Sequence, residues 1–171
     1  MGREVRRVAP GWEHPRDERG RHIPLLAGPY SRDAAEWDEG KARWDAGEQR
    51  DWSKYPEKAW EPREAEGNYE DVAGERPKPE QYMPEWAPGK ATMLAMYEDV
   101  SEGTPISPAF GSPEELARWL SDSGASAFAG YTATYEEWLS TIARGFAVSA
   151  VMVVRPDGTA VTESGVAAMN R

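Results

Sequence analysis

The sequence predicts an α+β protein: a small C-terminal domain with two capped helices and a short antiparallel sheet, preceded by an irregular half rich in Trp and Pro. Three observations carry this. Two helix-start signatures occur, at Ser112-Pro113-Glu114-Glu115 and at Thr134 with Glu137. A β-branched run, Phe146–Val154, leads into the turn string Arg155-Pro156-Asp157-Gly158, after which Thr159–Thr162 can return as a hairpin partner. Aliphatic residues are also unevenly spread: between Leu26 and Leu94 the only Val, Leu or Ile is Val72.

Taken in order, residues 1–30 read as a basic N-terminal arm. Residues 1–32 hold seven Arg against four acids, a surplus of three. Arg3, Arg6, Arg7, Arg16, Arg19 and Arg21 could contact phosphates, but no aromatic stacking pattern accompanies them, and a solvated or internally paired terminus explains them as well.

Residues 31–90 read as an acidic, extended segment with a short helix, packed on the domain that follows. Its lack of aliphatics denies it a core of its own, since each buried aliphatic contributes about 1.5–3 kcal/mol. It carries Trp37, Trp44, Trp52, Trp60 and Trp86 instead. Ser31 is the expected cap of a helix running to Trp44, with Trp37 and Trp44 two turns apart on one face. Gly40 and Gly47 each weaken that helix by about 1 kcal/mol relative to Ala. From Pro56 to Pro88 six prolines forbid long regular structure.

Residues 91–171 read as the compact domain. Thr92–Glu98 is an expected strand, and Thr104-Pro105 and Ser107-Pro108 favour an extended or turning loop. Ser112 caps the first helix, whose stripe is Leu116, Trp119 and Leu120, with Gly124 as its stop. Thr134 and Glu137 box the second, whose stripe is Trp138, Leu139 and Ile142, ending before Gly145.

Composition narrows the function classes. The chain of 171 residues has a net charge of -10, with an acidic surplus of eight in residues 33–86. No Cys is present, which excludes a disulfide framework, a thiolate zinc site and a thiol nucleophile. No apolar run is long enough for a membrane span, and the N-terminus has no export signal. His14 and His22, the only histidines, stand eight apart across Pro15 and Gly20, which matches no standard metal-ligand spacing. No catalytic signature, cofactor fingerprint or P-loop occurs. No catalytic residue, metal or cofactor is therefore assigned.

The binding candidates are Trp37, Trp44, Trp52 and Trp60 of the acidic segment, since Trp anchors and exposed acids suit a protein partner. Equally, these rings could simply clamp an irregular chain. Acidic rows invite mimicry of nucleic acid as well, but Arg32, Lys41, Arg43 and Arg50 interleave with them and would neutralise the field. Sugar binding would need exposed coplanar Trp rings. A second candidate is the loop bearing Ser101, Glu102, Thr104 and Ser107 beside Trp119. Its alternative is a rigid strand-to-helix connection.

Gly2-Arg3-Glu4-Val5-Arg6-Arg7-Val8 with Trp12-Glu13-His14-Pro15, the block Ser101–Pro108, and Pro113-Glu114-Glu115-Leu116-Ala117-Arg118-Trp119-Leu120 together resemble a family of uncharacterised proteins of tailed bacteriophages and prophages. Ser123–Phe128 and Thr132–Glu136 extend the resemblance. It implies a phage genome and the host bacterial cytoplasm, and it implies no catalytic residue. The functional expectation is a non-enzymatic accessory protein that binds a host or phage protein, such as a host defence factor. The alternatives are a virion or assembly component, and a small-ligand protein or enzyme whose pocket would form where Ser101–Pro108, Trp119 and acidic side chains converge.

Overall fold

The computed structural model describes residues 2–99, 103–154 and 157–170, with the backbone alone for Val153. In chain order the elements are β1 (Arg3–Val8), α1 (Tyr30–Asp45), β2 (Glu48–Arg50), β3 (Trp60–Pro62), α2 (Tyr69–Ala73), β4 (Met93–Glu98), α3 (Pro113–Asp122), α4 (Tyr135–Arg144), β5 (Phe146–Ala147), β6 (Ala150–Val154), β7 (Ala160–Ser164) and α5 (Gly165–Ala168). Short 3-10 turns fall at Trp52–Lys54 and Pro79–Gln81. The α+β class expected from the sequence is the class observed. The chain forms two compact units, one from Met1–Ala27 with Trp86–Arg171 and one from Gly28–Glu85.

In the first unit the N-terminal residues are a strand and not a free arm. β1 is the middle of a three-stranded antiparallel sheet ordered β4-β1-β5. Its register against β4 runs from Arg3↔Glu98 to Val8↔Met93. Two arginines can enter a sheet because their charges are matched on the spot. Arg3 reaches Glu98 at 3.5 Å and the Ser126 carbonyl at 2.9 Å, and Arg6 pairs with Glu4 and donates to the Leu25 carbonyl at 2.7 Å.

Strand periodicity then divides the sheet faces. Leu94 and Met96 of β4 join Leu116, Leu120, Trp138 and Ile142 of the two helices in the buried core. Ala95, Tyr97 and Val8, one residue out of phase, face a cleft on the other side. Both N-caps form, and the second is a full box: Glu115 N–H donates to Ser112 Oγ without a return bond from the Glu115 carboxylate, whereas Thr134 and Glu137 bond reciprocally. Residues 104–110 run along the outer edge of β4, with bridges Leu94↔Phe110 and Tyr97↔Pro105 covering its free groups. The expected run 146–154 breaks into β5 and β6, and β6 pairs with β7 as a separate hairpin in the register Ala150↔Ser164 to Val154↔Ala160. Arg155 and Pro156 of the predicted turn lie outside the described residues.

The second unit begins with α1, whose N-cap is Pro29 and not Ser31. Ser31 sits in the first turn, where its N–H and hydroxyl both donate to the Glu85 carboxylate, at 2.6 and 2.9 Å. The β2–β3 hairpin and the five-residue α2 follow, short as the prolines require. The two ends of the chain, expected as separate regions, share one sheet.

Candidate functional site

Trp37 and Trp44 do share a face of α1, and the residue between them sets what that face can receive. Gly40 is buried, and a Cβ there would overlap the Tyr69 hydroxyl. The glycine that the sequence marks as a weakness in the helix is the gap through which Tyr69 enters. Its ring meets Trp37 edge-on at 5.2 Å and Trp44 at 6.0 Å. Both indoles also hold α2 by its ends. Trp44 Nε1 donates to the Gly67 carbonyl at 3.3 Å and Trp37 Nε1 to the Gly74 carbonyl at 3.0 Å. Asn68 and Asp71 close a capping box between them.

The β2–β3 hairpin and the turn after β2 supply the opposite wall. Trp60 on β3 pairs with Arg50 on β2, and Trp52 begins the following turn. Trp37, Trp44, Trp52 and Trp60, four of the residues singled out from the sequence, converge with Tyr69 and Val72 on one cavity of about 590 Å³. Its rim carries Glu36, Glu39, Glu48, Arg50 and Lys58. Trp52 is 65% exposed and Val72 58%, so the mouth offers apolar surface to solvent.

Guanidinium groups lie over three of the four indoles: Arg63 over Trp44 at 4.8 Å, Arg50 over Trp52 at 4.5 Å and Arg43 over Trp60 at 5.5 Å. Arg50 also donates to Glu36 at 2.9 Å, and that bond, helped by Lys58, holds the Glu36 carboxyl below its usual range. Burial, then the charge of Glu36, pushes the Tyr69 phenol up. At neutral pH the cavity therefore presents an ionised Glu36 and a protonated Tyr69. The Tyr69 hydroxyl and the indole N–H groups of Trp52 and Trp60 have no hydrogen-bond partner among the described residues. They are unused donors at the cavity.

Charge in this unit is asymmetric. Eight of the nine Lys and Arg residues of 28–85 are ion-paired, and the ninth, Arg63, stacks on Trp44. The sixteen acids exceed them by seven. The interleaved Arg32, Lys41, Arg43 and Arg50 pair with Asp33, Asp45, Glu48 and Glu36. The Trp37 and Trp44 ring planes are inclined to that of Tyr69 by 66° and 51°.

The remaining predicted residues belong elsewhere. Ser101 and Glu102 lie outside the described residues. Thr104 contributes its backbone carbonyl to Glu98 N–H at 2.9 Å and lines neither the aromatic cavity nor the cleft faced by Val8, Ala95 and Tyr97. Ser107 Oγ accepts from Met96 N–H at 2.9 Å and donates to the Pro108 carbonyl at 2.8 Å, which makes it a structural hydroxyl. With Trp119 it lines the separate cleft of the first unit. The two sets of candidates thus occupy two sites. Sequence reading missed Tyr69, although its flanking Gly67-Asn68 and Asp71 mark a capped helix start. It also missed Trp12, Tyr97 and the two histidines as neighbours.

No metal-binding group of three or more His, Asp or Glu occurs among the described residues, and no helix there is long and apolar enough to cross a membrane. No family model matches the chain, and no curated protein or solved structure matches it either.

Proposed function

We propose that the chain is a bacteriophage accessory protein acting in the host bacterial cytoplasm, and that it works by binding another protein through the aromatic cavity of residues 28–85. The convergence of Trp37, Trp44, Trp52, Trp60 and Tyr69 on that one cavity is the observation that carries the reading. Trp and Tyr are the residues that dominate binding energy at protein interfaces. The donors left over there, Tyr69 hydroxyl and two indole N–H groups, suit the carbonyls of a peptide segment. The acidic surplus of seven, with every local cation occupied, selects a partner segment bearing Lys or Arg and steers its approach.

Affinity capture from infected and uninfected bacterial lysates tests this. The full chain should enrich a protein that is lost when Trp52→Ala and Val72→Ser are introduced together, two exposed changes that spare the buried rings. A protein enriched equally by both forms, or none, overturns the reading. Mass spectrometry of purified virions should find no stoichiometric copy of the chain, whereas such a copy would favour the virion alternative.

A further inference from the structure

The first unit carries a second concave site, unrelated to the aromatic cavity and independent of the function proposed for it. A cleft of about 850 Å³ is lined by residues of the sheet, of the segment 105–109 along the edge of β4 and by Trp119 of α3. Its floor is Val8, Ala95 and Tyr97, and its walls include Trp12, Ile106 and Trp119. Size and an apolar lining with a few polar groups are the usual attributes of a small-molecule site.

The polar groups are placed by a braced hairpin, residues 15–23. Ile23 N–H donates to the Pro15 carbonyl at 3.0 Å and Asp17 N–H to the Arg21 carbonyl at 2.8 Å. The Asp17 carboxylate accepts from the N–H groups of Arg19 and Arg21, both at 2.9 Å, and pairs with the Arg21 side chain. An antiparallel bridge joins Arg16 to His22, so the two side chains are cross-strand neighbours on one face, and both line the cleft. His14 fastens the hairpin to the sheet. Its Nε2 donates to the Ile23 carbonyl at 2.6 Å, which leaves Nδ1 to accept from the Tyr97 hydroxyl at 3.2 Å.

With His14 and Tyr97 committed to each other, the uncommitted groups are Arg16 and His22. Arg16 gives one N–H to the Gly20 carbonyl at 2.7 Å and has no ion pair among the described residues, and the His22 ring has no hydrogen bond there. Glu13 is the one carboxylate on the lining. Arg16 is the one guanidinium on the lining, and His22, which burial and Arg16 keep neutral at neutral pH, sets a ring N–H beside it at the mouth of an aromatic cleft. We propose that the cleft binds a small planar aromatic anion, its ring among Trp12, Ile106 and Trp119 and its anionic group on Arg16 and His22. A concave site of this size, with one guanidinium and one carboxylate on its lining, favours a free small molecule over a nucleic acid strand.

Titration of the full chain with 1-naphthalenesulfonate, and in parallel with uncharged 1-naphthalenemethanol, tests the proposal through the indole N–H resonances. The sulfonate should shift Trp12 and Trp119 saturably and leave Trp37 and Trp44 in place. Arg16→Ala with His22→Ala should weaken the sulfonate about tenfold, the effect of losing a charge-assisted contact, and leave the alcohol unchanged. Arg16→Lys should keep most of the sulfonate affinity, and Ala109→Trp, which fills the cleft, should abolish both. The proposal is overturned if the sulfonate produces no saturable shift at Trp12 and Trp119, or if a double variant with an otherwise unchanged spectrum binds it as tightly as the parent chain.

Discussion

Residues 28–85 and the unit that encloses them in sequence bury their side chains by different chemistry. The enclosing unit interdigitates Leu94, Met96, Leu116, Leu120 and Ile142 around Trp138, with several of these entirely out of solvent. Each such side chain contributes about 1.5–3 kcal/mol without any directional partner. Residues 28–85 have a single Val, Leu or Ile, and that residue, Val72, is exposed. They rely on edge-on ring pairs worth about 0.5–1.5 kcal/mol each, on guanidinium–indole stacks and on surface ion pairs of about 0–1 kcal/mol. The comparison teaches that an aromatic and charged set can order a segment while leaving a cavity in it. The aliphatic core of the enclosing unit closes up, and the cleft of that unit lies instead where Trp12, Tyr97 and Trp119 gather.

The largest effect should come from the aliphatic side of this contrast. Trp138→Ala removes the largest fully buried ring and should cost about 3–5 kcal/mol in urea unfolding. Trp44→Ala should instead speed amide exchange across α1 and α2 and leave α3 unchanged, since it releases Gly67, Arg63 and Tyr69 together. Uniform loss across both units would break the contrast.

Gly40→Ala comes next. An Ala in mid-helix ordinarily gains about 1 kcal/mol over Gly, but here its methyl meets Tyr69, and overpacking costs about 1–3 kcal/mol. Thermal denaturation followed at unit 28–85 should show net destabilisation. A gain in stability would mean that Tyr69 yields without loss.

Acidification should separate the units by pH. Both histidines lie in the first unit, and burial, reinforced by neighbouring cations, holds His14 and His22 below the ordinary 6.5. Below that value the unfolded chain takes up protons that the folded one refuses, so stability is complete above pH 6.5 and falls as pH drops through the folded values. The Glu36, Asp38, Asp51 and Glu75 carboxyls of the second unit are held low by Arg50, Arg76, Ser53 with Lys54, and Lys78 respectively. Their contribution persists until pH falls through the carboxylate range. Amide exchange corrected for its intrinsic pH dependence should therefore report weakening of α3 and β4 between pH 7 and 5, with α1 unaffected until lower pH.

The smallest effect concerns Ser31. Loss of a true N-cap costs about 1 kcal/mol, but Ser31 bonds an exposed Glu85 instead. Ser31→Ala should change the free energy of unfolding of unit 28–85, measured in urea, by only about a few tenths of a kcal/mol.

How much of this was legible depends on whether the signal is local. The caps at Ser112 and Thr134 and the strand expected at 92–98 are written in short windows and formed, and the hairpin expected from 146–154 with 159–162 formed only in part, as β6 with β7. The fate of β1 was not, because Arg3 and Arg6 look solvated until Glu98, Glu4 and the Leu25 carbonyl, distant or unremarkable in sequence, meet them. Ser31 departs from its expected role for a similar reason: a good capping residue two positions after Pro29 is captured by a carboxylate 54 positions away. Trp37, Trp44, Trp52 and Trp60 were legible as a group by their abundance. Tyr69 was not, since its entry depends on an absence, the missing side chain of Gly40. The grouping of Trp12, His14, His22 and Tyr97 is likewise a product of strand phase and hairpin register.

Amide hydrogen exchange of the full chain, alone and bound to the protein it captures, tests the central claim most directly. Binding through the aromatic cavity predicts protection at residues 37–60 and 69–73, with α3 and α4 exchanging as before. Protection confined to the first unit, with 37–60 and 69–73 unchanged, would contradict it.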